Sequence, residues 1–185
     1  TAALFLLLIL SGLPLMFLYV PSVERAYASI KDVEFVITFG SWIRAVHRIA
    51  AHGMVIVVFL HLVRVFLTGA YKNGAGRGQH REWNWVLGVV MLLVTLLLSF
   101  TGYLLPWDQL AFWAVTVGTN IASSIPAIGP TVRELLIGGR TIEQATLIRF
   151  YVLHVVILPL GLGVLFAYHM WRVRKDGGLA RAERD

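Results

Sequence analysis

The chain has 185 residues, of which 58% are hydrophobic and 14% charged, and it contains no cysteine. That balance argues against a soluble domain, and the missing thiols exclude disulfides, zinc–thiolate sites, iron–sulfur clusters and any thioether-linked group within the chain. The net charge of +6 does not point to nucleic acid, because the basic residues gather at the ends of apolar segments and form no stripe interleaved with aromatics.

Four apolar segments are predicted to span a membrane: residues 1–20, 42–68, 85–105 and 145–173. Each meets the length of about 20 residues that one crossing needs. Backbone groups in hydrocarbon must be paired within their own segment, so all four are predicted as helices. In the first, Gly12 interrupts the apolar run and Pro14 is expected to kink the helix; the chain is expected to start inside that span. A polar loop from Pro21 to Ser41 follows, carrying Glu24, Arg25, Lys31, Asp32 and Glu34. The second segment holds His47 and His61. A Gly-rich basic loop with Lys72, Arg77 and Arg81 leads to the third segment, which stops at Pro106. A long connection, Trp107 to Gln144, precedes the fourth segment with His154 and His169. Trp42, Trp83, Trp85, Trp107 and Trp171 sit near segment ends, as an interfacial aromatic belt requires. The expected fold is all-α: a four-helix transmembrane bundle forming one domain over 1–185.

The positive-inside rule orients the bundle. Lys72, Arg77, Arg81, Arg172, Arg174, Lys175, Arg181 and Arg184 lie in the second loop and the tail. The other two connections carry only Arg25, Lys31, Arg133 and Arg140. Both termini are therefore expected on the cytoplasmic side, most simply of a bacterial inner membrane, with a thylakoid as the alternative. The second and fourth helices then run in the same direction.

His47 and His61 are fourteen residues apart, and His154 and His169 fifteen. On a helix each pair falls within about 60° of one face and spans roughly 21–22 Å. Parallel helices place His47 beside His154 near the outer side and His61 beside His169 near the inner side. Ionisable groups at such depth are expensive and usually functional. Facing imidazoles suit axial ligation of haem iron, and without cysteine any haem is non-covalent. Gly88 and Gly102 repeat the fourteen-residue period on the third helix, where a flat macrocycle needs close backbone approach. Arg44, Arg64 and Arg149 lie within about a turn or two of the histidines and could pair with anionic propionates, although snorkelling at the membrane edge explains them as well. His52 lies about 140° around from His47 and is expected not to be a ligand; His80 is expected to be solvated.

The strings Arg44-Ala45-Val46-His47-Arg48, Phe59-Leu60-His61-Leu62-Val63-Arg64, Gly102-Tyr103-Leu104-Leu105-Pro106-Trp107-Asp108-Gln109 and Leu147-Ile148-Arg149-Phe150-Tyr151-Val152-Leu153-His154 resemble the cytochrome b family, the di-haem subunits of quinol–cytochrome c and quinol–plastocyanin oxidoreductases. The fifteen-residue spacing, with Arg174-Lys175-Asp176-Gly177, is similar to the short split form, cytochrome b-six. The resemblance implies two haem b groups and a quinone or quinol substrate. It implies a low-potential haem at His47/His154 beside an outer quinol-oxidising site, and a high-potential haem at His61/His169 beside an inner quinone-reducing site. It adds Gly12 to the macrocycle-facing glycines, places Phe112, Trp113 and Ala114 near the outer quinol headgroup, and sets Arg174 beside the inner quinone. The implied partners are the membrane, a C-terminal-half cytochrome b subunit, a Rieske iron–sulfur protein and a c-type cytochrome, in a complex expected to be dimeric and inactive as this chain alone. The family's outer-site Pro-Glu-Trp-Tyr motif is absent from the sequence; in split systems it belongs to a separate subunit. The alternative is a di-haem anchor of a Rieske-lacking quinone-linked complex, with a multihaem cytochrome or dehydrogenase as partner.

Overall fold

In the computed structural model, residues 1–73 and 80–176 are described, and they form seven helices: α1 (Ala2–Leu18), α2 (Ala26–Phe35), α3 (Gly40–Leu67), α4 (Arg81–Leu104), α5 (Gln109–Ser123), α6 (Gly129–Ile137) and α7 (Gln144–Lys175). Arg77, Gly177, Arg181 and Arg184 lie outside the described residues. Helices α3, α4 and α7 are long and apolar enough to cross a membrane. Helix α1, of 17 residues, joins them as the fourth member of the expected bundle.

Three helices lie where the sequence pattern predicts connections. Helix α2 occupies the polar loop, and α5 and α6 fill the long connection after Pro106. All three are too short to span, so a search for membrane-length apolar runs passes over them. Their local signals are present nonetheless. Asp108 caps α5 by accepting from Ala111 N–H at 2.8 Å. Helix α6 has Pro130 in its first turn and ends at Gly138, whose φ of +76° is the left-handed cap that glycine adopts without strain. Helix α4 stops at Leu104, two residues before Pro106, as predicted. Pro14 sits inside α1 without ending it.

Helix α7 is not uniform. Leu153–Ile157 form a π turn, and Pro159 stands two residues beyond it. Proline has no N–H to donate, and its ring collides with the carbonyl four residues back, here that of Val155. Widening the preceding turn relieves that collision and keeps the helix continuous.

Helix α1 packs on α3, α3 on α4, and α4 on α7. One end of the bundle is stapled by polar contacts. Tyr19 Oη donates to Leu105 O at 2.6 Å. Gln144 donates from Nε2 to Pro21 O at 2.8 Å and accepts from Val23 N–H at 2.9 Å. The end of α1, the end of α4 and the start of α7 therefore share one level. Both buried apolar clusters, Tyr19/Ala26/Leu147 and Leu104/Val115/Phe150, lie at this same end. Helices α3 and α7 both run away from it, so the predicted parallel direction of the histidine-bearing helices is realised.

Candidate metal centre

His47 on α3 and His154 on α7 face each other with ring centroids 6.3 Å apart and planes at 77°. Two metal–imidazole bonds of about 2 Å, plus roughly 1.2 Å from each donor nitrogen to its ring centre, require about 6.4 Å for one ion held between two axial rings. The observed separation fits. Outside this ring contact, α3 and α7 share no extended packing; each packs on α4.

The donor set points the same way. Among the described residues no group of three or more His, Cys, Asp or Glu could hold a bare ion. Paired imidazoles with no third protein ligand suit a metal whose remaining positions are filled by a macrocycle. One helix neighbour sits tightly against each ring. A Cβ on Gly12 would lie 3.1 Å from His47 Cε1, and one on Gly102 would lie 2.6 Å from His154 Cε1. Only glycine leaves the rings where they are.

Further along the same helices, His61 and His169 lie close enough to interact electrostatically. His61 is exposed here and His169 half-buried. A Cβ on Gly88, at this level of α4, would meet nothing within 4 Å. Open space beside a glycine between two imidazole-bearing helices is the cradle a flat ring would fill. Both predicted pairs are thus brought together, and the crossed pairings are not. His52 and His80 are exposed and join neither pair.

The predicted arginines divide. Arg44 is half-buried and ion-paired with Glu34 of α2. Arg64 is exposed at the far end of α3. Arg149 bonds Ala145 O at 3.4 Å and lays its guanidinium across Gly138, in space that a Cβ would occupy. Of the residues expected near a quinol, Phe112 and Trp113 are exposed and meet edge to face at 5.9 Å, while Ala114 turns inward onto the Leu104/Val115/Phe150 cluster.

Arg174 is exposed. It stands five residues beyond His169, about 140° around the helix, the same offset that separates His52 from His47. Arg172, three residues beyond His169 and about 60° from its face, is the buried one. Its Nη2 donates to both carboxylate oxygens of Asp176, at 2.9 and 3.0 Å, and Arg81 Nη2 donates to Asp176 O at 3.2 Å. Sequence reading passes over this pair because both residues look like parts of a solvated basic tail. The i,i+4 spacing of opposite charges was the available signal. It also passes over Ser11 and Thr101, whose hydroxyls lie 2.9 Å from His47 Nδ1 and 3.1 Å from His154 Nδ1.

Known proteins resemble this chain over nearly its whole length. The model of the Cytochrome b/b6/petB family matches residues 1–177. Cytochrome b6 of Stigeoclonium helveticum is 42% identical over 173 residues, covering 94% of this chain and 78% of that protein. Cytochrome b6 of Synechococcus elongatus is 41% identical over 177 residues, covering 96% and 80%. A chain of a solved hyperthermophilic respiratory Complex III superposes with a TM-score of 0.81 at 30% identity, over 100% of this chain. This chain spans about half the length of that one, 49%.

Proposed function

We propose that this chain, which belongs to the cytochrome b/b6 family, is the di-haem subunit of a membrane quinol oxidoreductase. Family membership implies haem b. Two such groups are proposed, one between His47 and His154 and one between His61 and His169. The observation that carries it is the 6.3 Å separation of the first ring pair, one ring on α3 and the other on α7. Bound haem b supplies a reversible one-electron couple.

The residues of this chain hold and insulate that couple. The imidazoles fix depth, and the glycines of α1 and α4 admit flat groups. The apolar helices exclude water, so charge moved between the two levels crosses a low-dielectric barrier. Arg64 is exposed and can reach an anionic propionate, while Arg149 and Arg44 can do so by giving up Ala145 O and Glu34. Phe112, Trp113 and Ala114 remain the candidates for the outer quinol pocket, and Arg174 for the inner quinone. The Complex III likeness and the cytochrome b6 relatives favour the reading with a Rieske protein, a c-type cytochrome and a C-terminal-half cytochrome b as partners.

The test is spectroscopic. The complex purified with this chain should contain two b haems per copy, both extractable by acid–acetone and both reduced by a short-chain quinol. Fewer than two removes the di-haem reading. Two haems that dithionite reduces but no quinol does would remove the quinol reading.

A further inference from the structure

Ser11 and Thr101 stand in equivalent relations to the two histidines at the stapled end of the bundle. Each immediately precedes a ring-facing glycine, Gly12 or Gly102, on a helix neighbouring the histidine's own. Each is buried, Ser11 at 7% and Thr101 at 0% exposure. Each hydroxyl also contacts backbone carbonyls of its own helix: Ser11 Oγ lies 2.7 Å from Leu7 O, and Thr101 Oγ1 lies 2.9 Å from Leu97 O.

A hydroxyl has one proton to give. Carbonyl oxygens only accept, so a hydroxyl that donates to Leu7 O or Leu97 O turns its lone pairs toward the histidine. Toward the histidine each hydroxyl can then only accept. In that arrangement the Nδ1 of each ring carries the hydrogen, and for His154 a second atom that can only accept, Leu98 O at 3.1 Å, calls for the same tautomer. With Nδ1–H fixed, Nε2 bears the free lone pair. Among the described residues no hydroxyl is bonded to His61, and the buried His169 Nδ1 has no side-chain partner.

We propose that Ser11 and Thr101 are positioning residues for the haem held by His47 and His154: they set the tautomer and azimuth of its two axial rings, hold their planes near the observed 77°, and lower its midpoint potential relative to unbonded imidazoles. A ligand N–H that donates to a fixed acceptor makes the ring a stronger donor and favours the oxidised metal. The inference rests on the proposed ligation by His47 and His154.

The experiment is a redox titration of the intact complex, with low-temperature EPR of the oxidised form, for Ser11→Ala, Thr101→Val and their double variant. Ser11→Thr and Thr101→Ser serve as conservative controls. The midpoint of the His47/His154 haem is expected to rise in each deletion variant and furthest in the double, with its ferric signal altered. The other haem should be unmoved, and both conservative variants should resemble the unaltered complex. Loss of that haem in Ser11→Ala or Thr101→Val, with retention in the conservative variants, also supports the proposal. Unchanged midpoints and signals in the deletion variants overturn it, as does equal damage from the conservative variants. An unaltered complex with no haem at His47/His154 overturns the ligation itself, which is a separate and visible outcome.

Discussion

His154 and His169 are fifteen residues apart in one helix, yet they behave as though they were fourteen apart. The π turn over Leu153–Ile157, which includes His154, takes up one residue without advancing the helical face. Helix α7 thereby presents its two rings with the offset that α3 gives His47 and His61, about 40° short of four full turns. The collision between Pro159 and the Val155 carbonyl gives the turn its local cause.

That relationship predicts an asymmetry between deletion and insertion. Removing Val156, an exposed residue in the turn, together with Pro159→Ala should let the helix close to regular α geometry while His169 keeps its face. Both haems should survive. Inserting one alanine after Gly161 should rotate His169 by about 100° relative to His154 and remove the His61/His169 haem. Haem content by pyridine haemochromogen decides it; deletion as damaging as insertion would sink the π-turn account.

Depth matching predicts how histidine losses group. His47→Ala and His154→Ala should each delete one haem, and the same one. His61→Ala and His169→Ala should each delete the other. A double variant within one pair should lose no more than either single variant, because the two residues act on one group. The check is the split of the reduced α-band at low temperature.

Glycine size separates the two levels. Gly102→Ala would put a Cβ against His154 Cε1, so the ring must move and its haem should be weakened even though the change is a single methyl. Gly88→Ala meets no protein atom within 4 Å. It should leave assembly intact and weaken only the His61/His169 haem, by occupying its cradle. Thermal haem-release midpoints for each band test this. A Gly88→Ala complex indistinguishable from the unaltered one would show that the space serves no ring.

The Arg172–Asp176 pair is buried on both sides. Asp176→Asn leaves a guanidinium without its counter-charge in a low-dielectric setting, which costs about 3–5 kcal/mol. Arg172→Met with Asp176→Leu together removes both charges and should cost much less. Arg174→Leu, on the exposed face, should leave stability unchanged and slow reoxidation of the inner haem if it serves the quinone. Unfolding in graded detergent mixtures measures the first two and flash kinetics the third. Equal destabilisation by all three would contradict the faces seen here.

Periodicity, hydropathy and the distribution of basic residues were enough to place four apolar segments, two histidine pairs and the parallel direction of α3 and α7. Those features depend on repeats along one helix and on the cost of polar groups in hydrocarbon, and both are one-dimensional. The same angle arithmetic that set His52 aside puts Arg174 about 140° from the face of His169 and Arg172 about 60° from it. Helices α2, α5 and α6 were not legible, because each gains its stability by packing on the ends of the bundle and not from a membrane-length run. The hydroxyls on His47 and His154, the exchange of Arg44 onto Glu34, the burial of Asp176 and the π turn were decided only by tertiary structure. Each depends on which helix lies beside which and at what height. No spacing within a single segment contains that information, because hydrogen bonds and ion pairs between helices are fixed by distances between axes that the chain establishes only on folding.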